Sequence, residues 1–144
     1  MDNNIILLDR LVSNLDINLD LIMQWNNGDP IKKESIYLAQ KDGAEPEPTP
    51  FGHMHHNDDI KERSNDWHIR RILYFIKYPE FIKNIELDNQ CYGMYISPKV
   101  VVIDGWHRLI AAILLKLEYI QVQYGGRLDL LKYLSGDTDI EPLE

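Results

Sequence analysis

At 144 residues, with 44% apolar and 26% charged side chains, the chain has an ordinary soluble-globular composition and enough length to bury a core. No apolar run approaches the roughly 20 residues that cross a bilayer, so no membrane span is expected. A net charge of −8 opposes general binding to duplex nucleic acid, which rests on basic phosphate contacts.

The acids gather at the two ends. Residues 1–30 carry Asp2, Asp9, Asp16, Asp20 and Asp29 against Arg10, a net −4; residues 137–144 carry Asp137, Asp139, Glu141 and Glu144, another −4. That leaves 14 of the 23 acids and 14 of the 15 bases between them, so a local pocket for a small anion remains open. Cys91 is the sole cysteine, and Met1–Asn4 lacks the basic start of a cleaved leader. A cytoplasmic protein is expected.

Leu8, Leu11, Val12, Leu15, Leu19 and Ile22 recur at helical spacing, and Gly28 and Pro30 supply a stop. Residues 1–30 therefore read as an N-terminal helical extension. Ile36–Gln40 reads as a first strand. Residues 41–65, rich in proline and polar groups, read as a long loop. Asp66 is the expected cap of a helix from Trp67 to Tyr78, with Arg70, Arg71 and Lys77 on its basic face and Pro79 at its end. From Ile85 the period changes. Ile85–Leu87, Cys91–Ile96, Val100–Ile103 and Tyr119–Tyr124 read as strands, and Leu109–Leu117 and Leu128–Leu134 as helices. The expected architecture is a compact α+β single domain over residues 1–144: a small mixed sheet, flanking helices, extra N-terminal helices, and a core at 66–134.

"VVIDGWHRLIAA", residues 101–112, passes from strand to helix through Asp104-Gly105-Trp106-His107-Arg108. The first amides of a helix lack partners within it and carry a partial positive charge. Gly105 permits positive φ and a close approach of ligand to backbone. Cations in a first helical turn are unfavourable unless an anion compensates them, and a phosphate group would do so. Two readings stay open from these residues: an anion site, or a tight turn that caps the helix and leaves Arg108 in solvent.

The run "VVVIDGWHRLIAAILLKLEYIQVQY", residues 100–124, resembles the core motif of the ParB/sulfiredoxin-like superfamily: a strand, Asp-Gly-x-His-Arg or a relative, an alanine-containing helix and a second strand. The order of elements agrees from about residue 36, but only 100–124 is specific. The resemblance implies a turn that grips nucleotide phosphates. Gly105, Trp106, His107 and Arg108 would bind them, with Asp104 and His107 as catalytic candidates. It also implies a nucleotide of the ATP or CTP type with Mg²⁺. The chemistry would be phosphoryl transfer, or hydrolysis of a phosphodiester or nucleotide.

The departures narrow this list. Trp106 stands where the sulfinic-acid reductases carry cysteine, so their chemistry is not expected. The partitioning clamps carry a more arginine-rich turn and a helix-turn-helix domain, neither of which this acidic chain shows. The serine kinases have Asp-Gly-His-His-Arg and draw a catalytic acid from the N-terminal part, where Glu34 is the nearest candidate.

His53, His55 and His56, beside Asp58 and Asp59, are low-ranking metal candidates without a second ligand cluster at zinc spacing. Arg70 and Arg71 either add charge to a phosphate pocket or form a solvated face. The competing functional reading is a non-enzymatic acidic interaction or inhibitor protein that keeps the fold and binds a protein partner through its acidic termini.

Overall fold

The structure, a computed structural model, describes residues 2–15, 31–50, 64–91, 94–95 and 98–143. In chain order its elements are β1 (Asp2–Leu7), α1 (Leu8–Leu15), α2 (Lys33–Lys41), α3 (Asn65–Lys77), β2 (Ile85–Asp88), β3 (Gln90–Cys91), β4 (Met94–Tyr95), β5 (Val101–Asp104), α4 (Trp106–Leu115), β6 (Tyr119–Tyr124) and α5 (Leu128–Ser135). The class is α+β, with a mixed four-stranded sheet in the order β1-β6-β2-β5 and a separate pair, β3-β4. The chain falls into two compact units, Met1–Ile17 with Glu80–Glu144, and Asn18–Pro79.

The sheet of the first unit follows from alternation. In β6, Ile120, Val122 and Tyr124 are buried while Tyr119 faces water, the period-2 pattern of a half-covered strand. Ile85 and Leu87 of β2 pair in parallel with Val122 and Tyr124, and β5 closes that side antiparallel. The helix joining β5 to β6 is α4, whose Leu109, Ile110, Ala111 and Ala112 are all buried. Its two alanines allow close approach to the neighbouring backbone.

Asp2–Leu7 is not helical: it pairs antiparallel with β6 along all six residues, Asp2 opposite Tyr124 and Leu7 opposite Tyr119. Helix begins only at Leu8, where Leu8 and Leu11 turn inward; the rest of the expected extension, 16–30, lies outside the described residues. Asn14, on α1, is 1% exposed. Its Nδ2 donates to the Pro98 carbonyl at 3.0 Å and to Glu141 at 3.3 Å, and its Oδ1 accepts from Val100 N–H at 2.8 Å. One amide therefore fixes the approach to β5.

In the second unit, Ile36–Gln40 is helix, not strand: it lies within α2, which carries Glu34 in its first turn and Lys41 in its last. Those charges complement the helix ends. The cap of α3 is Ser64, not Asp66; its Oγ accepts from Trp67 N–H at 3.1 Å. Residues 42–50 of the expected loop are irregular, and 51–63 lie outside the described residues. On the basic face of α3, Arg70 and Arg71 are held by neighbouring groups, while Lys77 is exposed. Arg70 contacts Asp66 at 2.9 Å and Glu47 at 3.3 Å. Arg71 is buried, donates to the Glu47 carbonyl at 3.0 Å and lies against the rings of Tyr74 and Phe75.

Candidate functional site

The seam at 104–108 is a strand–turn–helix as its residues suggest. β5 ends at Asp104, Gly105 takes φ +108, and α4 begins at Trp106. The left-handed φ and the close packing both select glycine. A Cβ at position 105 would sit 3.2 Å from the Ile85 Cα and 3.2 Å from the Arg108 guanidinium. The N-cap residue Gly105 offers no side-chain cap to α4, and no acid lies in the first turn. Its opening amides therefore present an electropositive end.

Arg108 does not stand in solvent. Its Nη1 donates to the Lys83 carbonyl at 2.6 Å and to the Asn84 carbonyl at 3.2 Å, and its Nη2 donates to Asp104 at 3.3 Å. Asn84, at φ +59, is one of two non-glycine residues described with positive φ. The cationic charge that sits badly in a first helical turn is thus met within the chain, by the segment leading into β2. Arg108 buckles the turn to that segment.

The two contacts of this buckle differ in weight. The Arg108 side chain is 20% exposed but Asp104 is 69% exposed, so their ion pair contributes little. Charged hydrogen bonds to carbonyls contribute more, about 1.5–3 kcal/mol. Arg108→Ala should therefore lower stability by about 2 kcal/mol, and Asp104→Asn by less than about 1 kcal/mol. Urea unfolding of the two variants checks this; equal losses would show that the carbonyl contacts are not what holds the turn.

Strand register brings further groups to this edge. Asp104 is the cross-strand partner of Glu86, Glu86 of Gln123, and Gln123 of Asn3. Opposed residues share one face of a sheet, so a polar row crosses all four strands and ends in two acidic residues at opposed backbone positions. Glu86 was not a sequence candidate. It sits in an amphipathic strand like any solvent-facing residue, and only the irregular register between β2 and β5 puts it opposite Asp104. Trp106 is half-buried, and His107 is 9% exposed with partners of its own.

Glu34 is exposed in the first turn of α2, within the second unit. His53, His55 and His56 lie outside the described residues. Among the described residues no group of three histidine, cysteine or acidic side chains could hold a metal ion. The class defined is an α+β protein with a glycine-opened helix N-terminus at a sheet edge. No protein-family description, curated sequence or solved structure matches the chain.

Proposed function

We propose that this chain binds a nucleotide or similar phosphate compound at the N-terminus of α4. The observation that carries the reading is the opening of α4 on Gly105 at φ +108, with no side-chain cap and no first-turn acid. A helix end in that state favours an anion, and a phosphate oxygen can accept from several of its amides together. The resemblance of residues 100–124 to the ParB/sulfiredoxin-like motif supports the same reading.

The geometry supports the following roles. The amides after Gly105 hold the phosphate, with Trp106 and His107 beside them at the start of α4. Arg108 keeps the turn in place through Lys83 and Asn84. Glu86 and Asp104 are opposed carboxylates, a donor pair suited to Mg²⁺, which takes one or two carboxylates and completes its shell with phosphate oxygens and water. Bound there, the ion would neutralise phosphate charge. Asp104, the more exposed at the strand end, is positioned to accept a proton from a hydroxyl or water attacking that phosphate. The reaction class supported is phosphoryl transfer or phosphate-ester hydrolysis.

The first test is thermal stabilisation by ATP, CTP, GTP and UTP, each with and without Mg²⁺. A ligand at about 100 times its Kd stabilises the folded state by about 2.7 kcal/mol, which for a chain of this size raises the melting temperature by several degrees. At least one nucleotide with Mg²⁺ should do so. If none does at millimolar concentration, the proposal fails.

A further inference from the structure

The second unit contains a hollow of about 340 Å³ between the C-terminal end of α2 and the last turns of α3. This is near the lower bound of small-molecule sites, about 300 Å³. We propose that it binds a small zwitterion with an apolar body: a free amino acid of the size of leucine.

The walls divide by chemistry. Ala44, Pro46, Leu73 and Ile76 supply an apolar lining, while Glu45 and Lys77 add one charge of each sign. Neither charge forms an ion pair among the described residues, and the two do not pair with each other. The Lys77 ammonium lies over the ring of Tyr78, 5.5 Å from its centroid. Two opposite charges around one hollow, not joined in an ion pair among the described residues, match a ligand carrying both an ammonium and a carboxylate. An anion alone would be repelled by Glu45, and a cation alone by Lys77.

The segment that forms one wall is fastened at both ends. Next to α2, the amides of Asp42, Gly43 and Ala44 donate to the carbonyls of Leu38, Gln40 and Ala39. Further on, Glu47 N–H donates to the Arg70 carbonyl at 2.9 Å, and Arg71 donates back to the Glu47 carbonyl at 3.0 Å. The wall stands before any ligand arrives, which lowers the ordering cost of binding. The ammonium of the ligand would pair with Glu45 and its carboxylate with Lys77, and its side chain would cover Leu73 and Ile76.

Calorimetric titration of the full chain with L-leucine, isoamylamine and 4-methylpentanoate separates the contributions. L-leucine should bind saturably with a Kd of millimolar order or tighter. The amine and the acid, each lacking one charge, should bind at least about tenfold more weakly. Glu45→Gln and Lys77→Met should each weaken L-leucine binding about tenfold. Both side chains are exposed, so the far-UV circular dichroism should not change. The proposal is overturned if L-leucine fails to bind at about 10 mM, if either half-analogue binds as tightly, or if either substitution leaves L-leucine binding unchanged.

Discussion

Gly126→Ala should lower the melting temperature by about 10 °C, from a loss on the order of 3–4 kcal/mol. Gly126 takes φ +129, and a Cβ there would lie 2.0 Å from Oδ1 of Asn89, a contact no real structure holds. Asn89 cannot simply swing aside. It is fully buried, and the same Oδ1 accepts the Arg127 amide at 3.0 Å. Beside it the Gly125 amide donates to the Leu87 carbonyl at 3.0 Å. The turn after β6 is therefore locked to the end of β2, and the added methyl would break that lock as well as strain the backbone. Pairing Gly126→Ala with Asn89→Ala should cost less than the sum of the two single changes, because the second removes the atom struck by the first. A Gly126→Ala protein within about 1 kcal/mol of the wild type would refute the packing described.

Asn14→Leu should cost about 3 kcal/mol, because it leaves a buried N–H and a carbonyl without their partner while conserving volume. The amide side chain is matched at both ends. Its oxygen accepts from Val100, and its nitrogen donates to Pro98 and Glu141. Asn14→Asp separates the two halves. The new carboxylate can still accept from Val100, but it faces the Pro98 carbonyl and Glu141 without a donor. Burial and that neighbourhood raise the carboxyl's pKa. Protonation restores an O–H toward Pro98, so the deficit against the wild type should shrink as pH falls through the raised value. Urea unfolding at neutral and mildly acidic pH reads this directly. A deficit that does not change with pH would mean that the donor half of the amide contributes nothing.

What was readable in the residues, and what was not, divides along physical lines. The stretch from Val101 to Tyr124 declares itself because local signals agree: a β-branched run, a glycine at the junction, an apolar helix and an alternating strand. β1 is hidden. Asp-Asn-Asn is a poor strand former, and the helical period beginning at Leu8 extends backwards by eye. Only the register with β6, more than a hundred residues away, makes Asp2–Leu7 a strand. α2 misleads in the opposite sense. Ile36, Tyr37 and Leu38 look like strand residues, yet Ile36 alone is buried in the helix and its two neighbours face outward.

The site shows the same division. Gly105 and the uncapped helix start could be read from order alone. The partners of Arg108 could not, since Lys83 and Asn84 present their carbonyls only after the Asn84 backbone turns left-handed. Those carbonyls already satisfy Arg108, so its charge in the first helical turn does not by itself call for an anion. What remains is the helix end itself, with Glu86 joined to Asp104 by register.

The most direct measurement is a backbone amide titration by ¹H–¹⁵N correlation with a Mg²⁺-bound nucleotide that stabilises the protein. Binding at the start of α4 predicts that the amides of Trp106, His107 and Arg108 shift together and most strongly, with Gly105 and Asp104 following at the same half-saturation. Saturable binding that leaves those amides unmoved, or no shift anywhere at millimolar nucleotide, would contradict it.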